Sequence, residues 1–115
     1  MKAGPAVDRT LAALSDPTRR AVIDLLRRKP HRAGELAHAL DMSSPALSRH
    51  LRILRRSGLI VDDEPEDDAR VRLYRLNPQA FSSLREWLGE VEAFWGGQLD
   101  SLKRHAEGRA GRRRK

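Results

Sequence analysis

The chain has 115 residues, 39% of them hydrophobic and 34% charged, with a formal net charge of +7 and no cysteine. This length fits one compact domain, and no apolar run approaches the roughly 20 residues that span a bilayer, so the composition excludes a membrane protein. The lack of cysteine excludes disulfides, thiolate metal sites and cysteine nucleophiles, and the first residues lack the apolar segment of a signal peptide, so we expect a cytoplasmic protein.

Two helices are predicted for the first 28 residues. Val7, Leu11 and Leu14 outline a short helix whose apolar stripe needs a partner. Asp16-Pro17 begins the second helix, because proline is favoured at the first helical position and an aspartate before it accepts hydrogen bonds from the free amides of the first turn. That helix should end at about Arg28. Its buried stripe is predicted to consist of Ala21, Val22, Leu25 and Leu26.

The middle of the chain has the pattern of two helices joined by a short turn. The first runs from about Gly34 to Leu40, and Asp41-Met42 forms the turn. Ser44-Pro45 then begins the second helix, with Ser44 as the capping residue. Gly58 ends it, because glycine adopts the left-handed conformation that closes many helices. The arrangement is helix, turn, helix.

Two strands follow this pair of helices. The segments LIV, residues 59–61, and RVRLYRL, residues 70–76, have the composition of strands. Between them DDEPEDD, residues 62–68, holds six acids and forms the tip of the predicted hairpin. The expected fold class is therefore mainly α with a small β-hairpin: five helices plus two strands.

Asn77-Pro78 begins the longest helix, which is predicted to reach about His105. Its apolar residues recur at steps of three and four, which indicates a continuous seam. The seam consists of Phe81, Leu84, Leu88, Val91 and Trp95, followed after a four-residue step by Leu99 and Leu102. Gly96-Gly97 interrupts this helix, so we expect a kink or the close approach of another backbone there. Both readings mark a packing surface.

The positive charge is unevenly distributed along the chain. The last ten residues, 106–115, contribute five positive charges and one negative charge, and their composition predicts a disordered basic tail. Within the body, residues 42–61 hold four arginines and no acid. Such segregation indicates a polyanionic partner for this part of the chain.

The basic helix that begins at Ser44-Pro45 has two faces. Leu47, Leu51 and Leu54 recur at helical spacing and point to the core. The opposite face carries guanidinium groups that match a row of phosphates and the guanine edges of a major groove, and the free helix N-terminus offers amides to a phosphate. Double-stranded DNA is therefore the expected partner. The predicted contacts are Ser43, Ser44, Ser48, Arg49, Arg52, Arg55 and Arg56.

Three segments resemble the ArsR/SmtB family of bacterial winged-helix repressors, over roughly residues 7–105. They are ALSDPTRRAVIDLL, ELAHALDMSSPALSRHLRILRRSGLI and RVRLYRLNP. The most specific part is the pattern S-x-H-L-x-x-L-x-x-x-G-L, present as Ser48, His50, Leu51, Leu54, Gly58 and Leu59. The resemblance implies a winged helix-turn-helix domain over residues 1–105 that binds a palindromic operator as a homodimer and represses transcription, with residues 44–57 as the recognition helix.

The resemblance also implies where the dimer forms. The segment EWLGEVEAFWGGQLDSL looks like a metal-independent branch of the family, in which the long last helix carries a Phe-Trp pair at the dimer interface. The predicted interface residues are Leu11, Leu14, Phe81, Leu84, Leu88, Val91, Phe94, Trp95, Leu99 and Leu102.

The hairpin departs from the family pattern, because family wings usually present basic residues to the minor groove. The acidic tip would be repelled by phosphates, so it either stays clear of DNA or restricts which DNA can approach. Only Arg70 and Arg72, at its base, are expected to contact DNA. His50 is expected either to pack or to touch a phosphate.

The metal sites of the family are not reproduced in this sequence. Family members that sense metals often carry Cys-x-Cys on the helix before the recognition helix, where this chain has Ala37 and Ala39. A second family site uses Asp and His on the last helix, and only Asp100 and His105 are available here, whereas a metal needs three or four ligands. We therefore expect no metal and no cofactor.

Other functions compete with the DNA-binding regulator. The basic helix of an adaptor would bind an acidic protein, and a metal-responsive repressor would need a non-thiolate site. An enzyme is not expected, because Ser48 and His50 point to different sides of a helix, no carboxylate pair sits at useful spacing on an apolar wall, and no glycine-rich phosphate loop is present. An effector, if one exists, would be an unknown small molecule or protein.

Overall fold

The computed structural model describes residues 3–63 and 71–113, with side chains as far as Gly108. Over these residues the chain forms five α-helices, a short 3₁₀ helix and a three-stranded antiparallel sheet. The helices are α1 Pro5–Ala13, α2 Pro17–Leu26, α3 Ala33–Ala39, α4 Ser44–Arg56 and α5 Ser82–Arg113. The strands are β1 His31–Arg32, β2 Ile60–Asp62 and β3 Leu73–Leu76, and the 3₁₀ helix is Pro78–Phe81. The predicted class, mainly helical with a small antiparallel sheet, is confirmed.

The sheet has one strand more than the sequence predicts. Its order is β1-β3-β2, and β2 pairs with β3 in the register Ile60↔Leu76, as the hairpin requires. The additional strand β1 pairs with the other edge of β3, with His31 opposite Tyr74. A strand of two residues is too short to show alternation, so its pairing is set by tertiary contact. The acidic segment beyond Asp63, and Arg70, lie outside the described residues.

The helix starts follow the predicted prolines with two corrections. Ser43, not Ser44, caps α4, and its Oγ accepts a hydrogen bond from the Ala46 amide at 3.3 Å. Asn77 makes no side-chain cap, and its Nδ2 instead donates to the Gly58 carbonyl at 3.0 Å. The proline after it begins the 3₁₀ helix, and the long helix starts only at Ser82. The side chain of Asn77 thus ties the end of β3 to the turn after α4.

The junction of α1 and α2 is closed by two arginines. Arg19 Nε donates to the Ala13 carbonyl at 2.6 Å and its Nη2 to the Ala12 carbonyl at 3.3 Å. Arg20 Nη1 donates to the Leu14 carbonyl at 2.7 Å. The last carbonyls of a helix have no partner within it, and cationic side chains there also suit the helix dipole. α2 therefore supplies the C-terminal cap of α1.

One hydrophobic core holds α2, α3, α4 and the sheet together. Its fully buried side chains include the predicted Leu47 and Leu54 of α4 and Val22 of α2. The largest of them are Leu36, Leu47, Leu54, Leu59, Ile60 and Val22. On α1 the buried side chains are Val7, Thr10 and Ala13, whereas Leu11 is exposed.

Helix α5 has 32 residues and is about 48 Å long at 1.5 Å per residue. It begins against α1 and the 3₁₀ helix, and almost every side chain between Glu92 and Gly108 is exposed. The composition predicts a disordered tail from residue 106, but the backbone is helical through residues 106–113. The reason is that each residue added to an existing helix gains a hydrogen bond without the cost of starting a new helix. The helix continues through Gly96 and Gly97. Apart from the adjoining turns of the helix itself, none of the described residues lies within 4 Å of the position that a Cβ would take at either glycine. Among the described helices, none is both long and apolar enough to cross a membrane.

Candidate nucleic-acid interface

The two faces predicted for α4 are present in the structure. Leu47, Leu51 and Leu54 are buried, with exposed fractions of 3% or less, and they fix the helix against the core. The opposite side is open to solvent over the whole length of the helix. Its exposed polar side chains are Ser44, Ser48, Arg49, Arg52, Arg55 and Arg56. A rigid helix therefore presents a row of four guanidinium groups.

The turn before α4 sets the direction of this helix. Asp41 adopts a left-handed backbone conformation with φ of 51°, which aspartate tolerates better than most residues. The Met42 amide donates to the Ala37 carbonyl at 2.9 Å and so closes the end of α3. Ser43 is exposed, but its hydroxyl is already used in capping α4. The first turn of α4 therefore faces solvent, and the start of the helix is fixed by the Ser43 cap.

His50 does not share the exposed face of its neighbours. Its side chain is 22% exposed, and Nδ1 lies 3.9 Å from Asp16 Oδ1 and 3.5 Å from Arg19 Nη1. The reason is helical spacing, because His50 is next to the buried Leu51 and three residues after Leu47. The structure therefore places His50 against the N-terminus of α2 and not in the arginine row.

Asp16, the predicted cap of α2, is confirmed in that role. Its Oδ1 accepts hydrogen bonds from the amides of Thr18 at 2.8 Å and Arg19 at 3.1 Å. The Arg19 amide, aided by the Thr18 amide and by the charges of His50 and Arg19, holds the pKa of Asp16 below its ordinary value of 3.8, against an opposing effect of desolvation.

Asp16→Asn provides a test of this ionised cap. A lowered folded-state pKa stabilises the fold above pH 3.8, and that contribution is lost as the pH falls through the lower folded value. Asparagine caps equally well but does not titrate. The thermal unfolding midpoint of the wild type should therefore fall more than that of Asp16→Asn between pH 6 and pH 3. Parallel pH profiles for the two proteins would contradict the assignment.

Two arginines predicted to touch DNA are held by one carboxylate. Asp62, at the end of β2, lies 3.4 Å from Arg55 Nε through Oδ1 and 3.3 Å from Arg72 Nε through Oδ2. Arg72 is only 21% exposed, and its Nε makes no hydrogen bond to the described residues. The sequence predicted DNA contacts for both arginines and gave no role to Asp62, although Asp62 is the first residue of the acidic run and directly follows the predicted strand 59–61.

The predicted dimer residues separate into two groups. Leu14 and Phe81 pack against the core of their own chain, because the turns after α1 and β3 fold them inward. Leu84 and Val91 are half-buried. The remaining six are exposed large hydrophobic side chains, between 41% and 65%: Leu11, Leu88, Phe94, Trp95, Leu99 and Leu102. Trp87, which the sequence did not assign, lines a groove with Pro5 and Val7 of α1.

Phe94 and Trp95 form an aromatic pair on α5. Their ring centroids are 5.9 Å apart and the ring planes are inclined by 85°, an edge-to-face arrangement. Both rings are more than half exposed. Two large aromatic side chains in an exposed apolar row are typical of the centre of a protein interface.

No three His, Asp or Glu side chains come together as a possible metal site in the part of the chain that the structure describes. Asp100 and His105, the two candidates on the last helix, are both exposed.

The part of the chain that contains α4 matches a family of known proteins. The model described as "Bacterial regulatory protein, arsR family" matches residues 16–61, which contain α2, α3 and the whole of α4. The HTH-type transcriptional regulator Rv2034 of Mycobacterium tuberculosis is 40% identical over 88 residues, which cover 76% of this chain and 77% of that protein. The transcriptional repressor SdpR of Bacillus subtilis is 34% identical over 76 residues, 66% of this chain and 81% of that protein. The crystal structure of an ArsR family transcriptional regulator, RHA00566, aligns with a TM-score of 0.72 at 34% identity, over 84% of this chain and 97% of that one.

Proposed function

Because this chain belongs to the ArsR family of bacterial transcriptional regulators, we propose that it is a DNA-binding repressor that acts as a homodimer on a palindromic operator. The observation that carries the proposal is the exposed arginine row on α4, a helix fixed by Leu47, Leu51 and Leu54. An α-helix fits the major groove, where arginine binds guanine through two hydrogen bonds or pairs with phosphate. The adaptor and enzyme readings have no comparable support.

In the proposed complex, α4 lies in the major groove. Arg49, Arg52 and Arg56 face the DNA, with Ser44 and Ser48 at the N-terminal end of the helix. Arg55 and Arg72 contact the DNA from the side on which Asp62 lies. Phosphate contacts position a protein on the duplex, whereas contacts to base edges select the sequence. His50 lies outside this set, since it faces α2.

The exposed side chains of α5 form the proposed dimer interface. Pairing of two copies would cover the apolar row that includes Phe94, Trp95, Leu99 and Leu102, all more than half exposed in the single chain. Two recognition helices related by a two-fold axis would reach half-sites about one turn of DNA apart, roughly 34–36 Å. The operator would then be palindromic.

The proposal includes regulation without a metal ion. It is supported by Ala37 and Ala39, which stand where family metal sensors carry cysteines. A small molecule, a partner protein or a change in repressor level would then relieve repression.

The decisive experiment is selection of bound duplexes from a random DNA pool by the full chain, followed by mobility-shift titration of the recovered sequence. We expect a recovered motif with two-fold symmetry and tighter binding to it than to a scrambled duplex of equal composition. Recovery of no motif, with equal binding to both duplexes, would contradict the proposal.

Arg52→Ala tests the proposed face of α4. The substitution should weaken binding to the selected duplex by at least about tenfold, because it removes one guanidinium contact from each subunit. If Arg52 contacts phosphate, the slope of log affinity against log salt should also become less steep by up to about 1.8 for the dimer, about 0.9 per lost contact. Fluorescence anisotropy over a salt series measures both quantities.

Arg28→Ala is the matched control for Arg52→Ala. Arg28 is also an exposed arginine, but it lies just after the C-terminal end of α2 and is not on the exposed face of α4. Its replacement should leave affinity and salt dependence close to the wild-type values. If Arg52→Ala behaves like Arg28→Ala, the assignment of this face is wrong.

A further inference from the structure

Asp62 is placed between two arginines from different elements. Arg55 comes from the last turn of α4 and Arg72 from the residue before β3, and the closest nitrogen of each to Asp62 is Nε. The Asp62 side chain is only 18% exposed. One carboxylate thus connects the proposed recognition helix to the base of the hairpin.

The neighbouring Asp63 makes a weaker and more solvated pair. It lies 3.7 Å from Arg75 Nη1, and the two side chains are 49% and 60% exposed. Solvent and salt screen such an exposed pair strongly, whereas partly buried pairs are screened much less. The two adjacent aspartates therefore carry the same charge in different electrostatic surroundings.

The position of Asp62 changes what its two arginines can do. The carboxylate offsets part of the positive charge of Arg55 and Arg72, so their attraction for any nearby phosphate is reduced. It also limits the orientations of both side chains, because each guanidinium has a fixed anionic neighbour. An arginine oriented in advance gains affinity where the DNA matches that orientation and loses it elsewhere.

We propose that Asp62 is a specificity-determining residue, which positions Arg55 and Arg72 and weakens their binding to DNA of arbitrary sequence. This inference rests on the proposed DNA-binding function. Asp62 touches no DNA itself in this account, and its effect is the ratio between operator binding and non-specific binding. That ratio decides whether a regulator is found on its site or on bulk DNA.

The test compares Asp62→Asn with Asp63→Asn. Each substitution removes one negative charge from the same strand end and changes the size of the side chain little. Affinities are measured for the selected duplex and for a scrambled duplex of equal composition, over a salt series. Asp62→Asn should raise affinity for the scrambled duplex about fivefold and steepen its salt slope by up to about 0.9 per released arginine.

The ratio of selected to scrambled affinity should therefore fall at least about threefold in Asp62→Asn, because the selected duplex already engages the oriented arginines. Asp63→Asn should leave this ratio at the wild-type value. If both variants change both affinities by the same factor, Asp62 acts only through general charge and the inference is overturned.

A second variant distinguishes an effect of the arginine charge from a structural effect of the substitution. Adding Arg55→Gln to Asp62→Asn should return the salt slope on the scrambled duplex toward the wild-type value, an effect that a merely structural role would not produce. If Asp62→Asn does not fold, Arg55→Gln and Arg52→Gln are compared instead. Arg55→Gln should then change the salt slope on the scrambled duplex by less than half as much as Arg52→Gln does, because Asp62 already offsets the charge of Arg55. Equal changes would overturn the inference.

Failure of the inference is distinguishable from failure of the proposed function. If the wild-type protein itself does not discriminate the selected duplex from the scrambled one, the proposed function is wrong. If the wild type discriminates and Asp62→Asn discriminates equally well, only the role of Asp62 is wrong.

Discussion

Replacing both Phe94 and Trp95 with alanine is expected to leave the protein monomeric and to lower its affinity for operator DNA by about two to four orders of magnitude. The two rings are more than half exposed in the single chain and form an edge-to-face pair in the apolar row of α5. Aromatic anchors of this kind contribute much of the energy of an interface. Once one half of a dimer is bound, the second half binds at a high effective concentration, and a monomer loses that advantage.

Sedimentation velocity shows whether the double variant is a monomer, and a mobility shift with the selected duplex measures its affinity for DNA. Asp100→Ala is the control, because it truncates an exposed polar side chain on the same helix. The double variant should keep its helical circular dichroism, since neither ring belongs to the core of the single chain. A double variant that sediments as a dimer would contradict the proposed interface.

Leu54→Ala is expected to destabilise the fold by about 2–5 kcal/mol, the usual range for truncating a buried leucine. Leu54 has no exposed surface, and it anchors α4 to the core at the turn that carries Arg52, Arg55 and Arg56. Since small domains are stable by only about 5–15 kcal/mol, the variant should lose a large share of its stability.

The adjacent Ile53 provides the control for Leu54, because it lies on the same helix but is 40% exposed. Ile53→Ala should lower the free energy of unfolding by less than about half as much as Leu54→Ala, since the Ile53 side chain makes fewer contacts and its truncation leaves no cavity. Urea unfolding followed by circular dichroism, at equal protein concentrations, gives both free energies. Equal losses would mean that α4 is not held in the orientation described.

Much of the proposed DNA-binding surface could be predicted from the sequence, because helical spacing alone divides α4 into a leucine face and an arginine face. The same periodicity located Leu47, Leu51 and Leu54 in the core. Asp16 was identified as a cap because its hydrogen bonds are made to residues two and three positions away. Local interactions of this kind leave a direct trace in the sequence.

The features that escaped prediction depend on contacts between distant segments. β1 is a strand only because His31 meets Tyr74, and Asn77 leaves its expected cap because the Gly58 carbonyl is in reach. The pairing of Arg72 with Asp62 needs two strands brought together in a particular register. Neither spacing nor composition encodes such a register on its own.

The hydrogen bonds between α1 and α2 bear on how short a self-sufficient fragment of this protein can be. A polypeptide trimmed to begin at Asp16, the first residue of the segment that matches the family model, would leave the guanidinium groups of Arg19 and Arg20 without their carbonyl acceptors. It would also remove Ala13, which is 1% exposed, from the hydrophobic interior. A fragment that begins at Asp16 should therefore be less stable than one that includes α1, which lies ahead of the segment matched by the family model.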